Sequence, residues 1–177
     1  MQEYTLLISE KEIQARIKEL GQEICQRYKD EPLVALCVLK GSVLFFADIV
    51  RELPSATALD FVALSSYGNK TVSSGEITFS KGLSLSIEGK HVLIFEDIVD
   101  SGLTMTYLKK YLENQNPKSV AVCTLLDKPS RRKVDLVPEF IGFKIPDKFV
   151  VGYGLDFDEK YRPLRDVCVL EPWVYQD

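Results

Sequence analysis

The seven-residue run Leu33–Leu39 (LVALCVL) contains no strongly polar side chain. A strand with one solvated face alternates apolar and polar residues. An unbroken apolar run of this length, bounded by Pro32 and by Lys40-Gly41-Ser42, therefore reads as a strand covered on both faces. His91–Phe95 and Ser119–Leu126 repeat the pattern, and Leu59–Leu64 and Phe140–Phe143 add two shorter segments. Helical signals fall between them. Ser9-Glu10-Lys11-Glu12 fits a capping box, and Ile13, Ile17, Leu20, Ile24 and Tyr28 follow at spacings of three or four. Val43–Leu53 reads as a second helix and Leu103–Asn114 as a third, stopped by Pro117. Strands alternating with helices predict an α/β fold: a mainly parallel, five-stranded sheet flanked by helices. A short last strand is expected at Asp166–Leu170. Tyr67–Gly82 is rich in Gly, Ser, Thr, Asn and Lys and reads as one long loop, a length typical of lids and binding loops.

The 177 residues fit one domain with a real core. No apolar run reaches the roughly 18 residues of a membrane helix, and MQEYTLLISEKE lacks the basic and apolar regions of a signal peptide. A cytoplasmic protein with no membrane partner is expected. Cys25, Cys37, Cys123 and Cys168 form no C-x-x-C pair, and the last three sit in apolar runs, so buried reduced thiols are expected. His91 is the only histidine, which excludes a histidine triad or a multi-histidine metal site. It is expected at the surface. A net charge of -4 argues against nucleic acid as the main partner.

In an open α/β sheet, ligands bind beyond the carboxyl ends of the strands. Lys40-Gly41, Glu96–Thr104 and Lys128 all lie at such ends. Asp100-Ser101-Gly102-Leu103-Thr104 runs into a helix, so its backbone N–H groups can converge on one anion, with help from the helix dipole and the hydroxyls of Ser101 and Thr104. Glu96 and Asp97 would repel a phosphate they touched. They suit a ligand with a vicinal diol near its phosphate, such as a ribose 5-phosphate. No Walker A or G-x-G-x-x-G loop is present.

The thirteen-residue run Val92–Thr104, VLIFEDIVDSGLT, resembles the phosphoribosyl diphosphate (PRPP) signature of the type I phosphoribosyltransferases. Leu39-Lys40-Gly41, Ser66-Tyr67-Gly68-Asn69, Leu126-Asp127-Lys128, Ile145–Tyr153 and Leu155-Asp156 through Arg162 resemble, in order, the hypoxanthine or hypoxanthine-guanine branch of that family. The likeness covers roughly residues 5 to 171. It implies a type I phosphoribosyltransferase fold across 1–177, with a core at about 30–145 and a small hood built from about 1–10 and 146–177. It also implies transfer of the ribosyl 5-phosphate from PRPP to N9 of a 6-oxopurine, with magnesium as cofactor and pyrophosphate as leaving group.

The resemblance assigns roles residue by residue. Asp100 is the general base toward the purine N7, although its position also suits a helix N-cap. Glu96, Asp97, Asp100, Ser101, Gly102, Leu103 and Thr104 bind ribose phosphate. Lys40, Gly41 and Arg162 take pyrophosphate, with a cis peptide often preceding the lysine. Lys128 donates to the purine O6, Phe149 stacks on the ring, Val150 meets its edge through backbone groups, and Asp156 adds to the purine site. Asp156, Glu96 and Asp97 form the magnesium set. Ser66 and Tyr67 match a mobile loop that excludes water. Leu103 departs from relatives that carry lysine there. A homodimer or homotetramer is expected. The competing reading is a nucleotide-binding regulator on the same fold, whose only candidate nucleic-acid face is Lys128-Pro129-Ser130-Arg131-Arg132-Lys133. Within the enzyme class, a preference for guanine or xanthine is the alternative.

Overall fold

A computed structural model describes residues 2–66 and 77–176. Strand β1 (Tyr4–Ile8) leads into helix α1 (Glu10–Tyr28). The expected capping box forms: Ser9 N–H donates to Glu12 Oε2 at 2.9 Å, and Glu12 N–H donates to Ser9 Oγ at 3.4 Å. Next come β2 (Leu33–Leu39), α2 (Val43–Ile49) with a single 3₁₀ turn at Val50–Glu52, β3 (Ala58–Ser66) and β4 (Ile77–Lys81). Then follow β5 (His91–Val99), α3 (Leu103–Glu113), β6 (Ser119–Asp127), a 3₁₀ turn at Pro129–Arg131, and β7 (Phe140–Lys144). The chain closes with β8 (Val150–Val151), β9 (Val167–Leu170) and the short helix α4 (Pro172–Tyr175).

The main sheet has the order β4-β3-β2-β5-β6-β7. All its pairs are parallel except β3 with β4. It therefore has six strands, not the expected five. The sixth, ITFSK, lies inside the stretch read as loop. It is an antiparallel edge strand, so it needs no continuous apolar run, and its composition hid it.

The unbroken apolar character of β2 is explained by its two covers. Ala35 and Cys37 point to the side of α1 and α2, where Ile13, Ile17, Leu20, Ile24, Phe45, Phe46 and Ile49 are buried. Val34, Leu36 and Val38 point to the other side, against Met105, Leu108 and Leu112 of α3. Truncating a fully buried leucine such as Leu20 costs about 2–5 kcal/mol. Cys37, Cys123 and Cys168 are buried and reduced, and Cys25 is partly buried. Burial pushes the Cys37 thiol up to about 11. His91 is only partly exposed: its Nδ1 lies 2.6 Å from Ser119 Oγ, and its ring sits 5.2 Å from that of Tyr28. Among the described residues no helix is long and apolar enough to cross a membrane.

The two ends of the chain meet in a second sheet, in the order β1-β9-β8, which carries its own apolar cluster of Val151, Cys168 and Leu170. This small sheet stands over the carboxyl ends of β2, β5 and β6. Its attachment is close-packed. Gly154 has φ +100, and a Cβ placed there would lie 2.0 Å from the carbonyl oxygen of Gly41. Only glycine lets these two backbones approach so closely.

Candidate active site

Two cavities meet at the carboxyl ends of the strands. The larger, about 840 Å³, is lined by Asp97, Asp100, Lys128, Phe149, Val150 and Asp156, together with Arg131, Asp147 and Tyr175. The smaller, about 130 Å³, is lined by Glu96, Asp100, Ser101, Gly102 and Thr104. Ile98 and Asp100 border both. The structure thus gathers Lys128, Phe149, Val150 and Asp156 in one cleft together with Asp97, and Glu96, Ser101, Gly102 and Thr104 in the adjoining one, with Asp100 shared. Leu103 lines neither and is 50% exposed. Ser66 ends β3, and Tyr67 lies outside the described residues.

The smaller cavity opens where β5 turns into α3. The helix N-cap is Gly102, at φ 81, with no side-chain cap. Asp100 is therefore not the cap, and its carboxylate turns to Arg131, whose Nε donates to Oδ1 at 3.0 Å. Glu96 sits inside β5, paired with Thr124 of β6. Its Oε2 is buried without a hydrogen-bond partner among the described residues. Burial first, and the adjacent Asp97 second, hold its carboxyl well above the usual carboxylate range.

Lys40 follows a cis Leu39–Lys40 peptide. A Cβ at Gly41 would fall 1.7 Å from Asp97 Oδ2, so this turn presses directly on an acid of the cleft. Lys40 Nζ meets both oxygens of Glu159, at 3.3 and 3.2 Å. Arg162 Nη2 lies 2.9 Å from Asp156 Oδ1 and 3.3 Å from Glu159 Oε2, and its Nη1 donates to Gly154 O at 2.8 Å. Lys40, Gly41 and Arg162 therefore stand together, joined to the cleft through Asp97 and Asp156 rather than lining it.

Lys128 is buried at the end of β6, with its Nζ 3.9 Å from Asp147 Oδ1. Phe149 is 38% exposed, so one part of its ring is open to a ligand. Tyr175 stacks on it at 4.8 Å and 25°, and Phe157 meets it edge-on at 5.7 Å.

The two arginines of the basic cluster are ion-paired. Arg131 bridges Asp100 and Asp147, the latter at 3.4 Å, and Arg132 pairs with Asp127 and donates to Asp100 O at 2.7 Å. Among the described residues Lys133 is the one of the cluster's four cations that is exposed and has no ion pair, and the two arginines turn toward acids. Arg131, Asp147, Glu159 and Tyr175 were missed from the sequence as site residues. Arg131 lay in a charge run and Glu159 inside LDFDEKYR, where nothing local separates a site acid from a solvated turn.

Comparison with known proteins agrees with this geometry. The family described as phosphoribosyl transferase domain matches residues 7–158. The chain is 50% identical to the hypoxanthine-guanine phosphoribosyltransferase of Bacillus subtilis, over 97% of this chain and 95% of that one. A hypoxanthine phosphoribosyltransferase structure from Staphylococcus aureus superposes with a TM-score of 0.93 at 43% identity, covering 98% of this chain and 94% of that one. A hypoxanthine-guanine phosphoribosyltransferase from Bacillus anthracis, solved with HEPES in its active site, gives 0.91 at 45% identity, covering 96% and 100%. Cleft, cradle and likeness lead to one conclusion: the chain belongs to the phosphoribosyltransferase family, on its hypoxanthine-guanine branch.

Proposed function

We propose that this chain salvages 6-oxopurines: it transfers the 5-phosphoribosyl group of PRPP to N9 of hypoxanthine, and of guanine, and releases pyrophosphate. The observation that carries the reading is the single cleft that brings Asp100, Lys128, Phe149 and Asp156 beside a phosphate-binding helix N-terminus.

The reaction builds positive charge on the ribose and negative charge on the departing pyrophosphate, and preorganised charges lower its barrier. The Ser101–Thr104 loop anchors the 5-phosphate through backbone N–H groups. Asp97 and Glu96 reach the ribose hydroxyls and accept hydrogen bonds from them. Phe149, held flat by Tyr175, stacks on the purine. Lys128, buried and hence only weakly hydrated, donates to O6, a contact that adenine cannot make. Arg131 occupies Oδ1 of Asp100, and Oδ2 receives the N7 proton as N9 attacks. Lys40 and Arg162 receive the pyrophosphate.

Magnesium fits the acids present. Asp97 and Asp156 line one cleft, Glu96 lines the adjoining one, and among the described residues its Oε2 has no hydrogen-bond partner. Among the described residues no cluster of three or more His, Cys, Asp or Glu could hold a metal by itself. That suits a cation bound through one or two carboxylates and the oxygens of its substrate. When bound, it would neutralise charge on the diphosphate. Exposed apolar side chains on α3, Leu103 and Tyr107, support self-association.

A spectrophotometric assay with PRPP, magnesium and each of hypoxanthine, guanine, xanthine and adenine tests the reading. Turnover with hypoxanthine and none with adenine is expected, and excess chelator should stop it. No turnover with any of the four would return the chain to the regulator class.

A further inference from the structure

Glu159 has no role in the reaction described above, yet among the described residues it is the one acid that touches both cations assigned to pyrophosphate. Lys40 Nζ meets both of its oxygens, and Arg162 Nη2 meets Oε2. Among the described residues Lys40 has no other ion-pair partner. The turn that presents Glu159 is fixed rather than loose. Asp158, Glu159 and Tyr161 all have left-handed backbone, at φ 52, 58 and 72. Phe157 and Lys160 exchange backbone hydrogen bonds of 3.2 and 3.0 Å across it. The Glu159 N–H donates to Asp156 Oδ2 at 3.0 Å, which ties the turn to the cleft. The carboxylate itself is exposed, 66% for its side chain, so an entering anion can reach it.

We propose that Glu159 is an internal stand-in for pyrophosphate: it holds Lys40 and Arg162 together in the ligand-free enzyme and is displaced when the diphosphate binds. This rests on the assignment of Lys40 and Arg162 to pyrophosphate and gives that site its regulation. Exposed ion pairs are individually weak, so a polyanion with several oxygens outcompetes a single carboxylate. The competition still lowers the apparent affinity for pyrophosphate, because the binding-ready state with unpaired cations is only part of the population. Pyrophosphate is the product that must leave, and product release limits many enzymes. Glu159 therefore favours release and keeps the two cations positioned for the next PRPP.

The test is inhibition by inorganic pyrophosphate in excess magnesium, on the full chain. Glu159→Gln should lower the inhibition constant by about three- to tenfold. It should lower the KM for PRPP in the same direction and leave the purine KM within about twofold. Asp158→Asn is the control. It removes the same charge from the same turn, but among the described residues Asp158 pairs only with Lys160, at 3.5 Å. Its effect should be less than about a third as large. Equal shifts in both variants would mean a general field effect and would overturn the stand-in. Unchanged or weaker inhibition in Glu159→Gln would overturn it as well. Lys40→Gln distinguishes this failure from that of the underlying assignment. It should weaken pyrophosphate inhibition by about tenfold or more. If it does not, the pyrophosphate site is elsewhere and both ideas fall.

Discussion

Residues 96–104, proposed to bind ribose phosphate, are one continuous stretch, whereas the wall proposed for purine and pyrophosphate draws on Lys40, Lys128, Phe149, Asp156 and Arg162 from four separate segments. In the proposed reaction the loop acts mainly through backbone N–H groups at a helix start, which need no partner to be in place. The wall acts through side chains, and those of its charged members arrive already paired: Lys40 and Arg162 on Glu159, Arg162 also on Asp156, and Lys128 near Asp147. The difference shows how each half stays ready. Backbone donors are held by the fold itself. Cationic side chains repel one another, and in the proposal above Glu159 is the interim anion that holds Lys40 and Arg162.

Breaking one member of each half measures how far this contrast holds. The largest effect is expected at Asp100, which links them. Asp100→Asn should lower turnover by about two to four orders of magnitude and shift Tm by less than about 3 °C, because only an exposed pair with Arg131 is lost. Near-normal turnover would remove Asp100 from proton transfer.

Next comes the joint between the two sheets. Gly154→Ala would put a Cβ 2.0 Å from Gly41 O on a residue with φ +100. It should cost about 2–4 kcal/mol, read by denaturant unfolding, and raise the KM for PRPP more than that for purine. An unchanged KM for PRPP would mean that the Lys40 turn is held without the small sheet.

Lys128→Gln probes the assembled wall. It should lower kcat/KM for hypoxanthine by about ten- to a hundredfold and narrow the preference over adenine. Equal losses for all purines would indicate a packing role only.

The smallest effect belongs to the scaffold. Asp60 is buried; its carboxylate accepts the N–H groups of Phe61, Ser84 and Leu85 and lies 3.4 Å from Lys81 Nζ. Burial opposes ionisation, but these partners prevail and hold its pKa below the ordinary 3.8. A carboxylate whose pKa is lowered by folding contributes stability that is full above the unfolded pKa and lost as pH falls through the folded one. Asp60→Asn should cost about 1–2 kcal/mol near pH 7 and flatten the acid limb of Tm against pH below about 4. An acid limb as steep as that of the parent would assign acid lability to other groups.

The sequence by itself determined the buried parallel strands, the capped first helix and the turn from β5 into α3. Each depends on neighbours within about a dozen residues: an unbroken apolar run, a serine three residues before a glutamate, a glycine at a helix start. It did not reveal β4, whose pairing partner β3 supplies what its own composition lacks. Nor could it show that Arg131 and Arg132 fold back onto Asp100 and Asp127 instead of forming a basic face, because a charge run carries no record of which way it turns. Only the tertiary structure decided that Lys40 and Arg162, far apart in the chain, share Glu159. That contact depends on a left-handed turn and on a glycine-to-glycine approach between two sheets, and long-range geometry of this kind leaves no periodic trace in the order of residues.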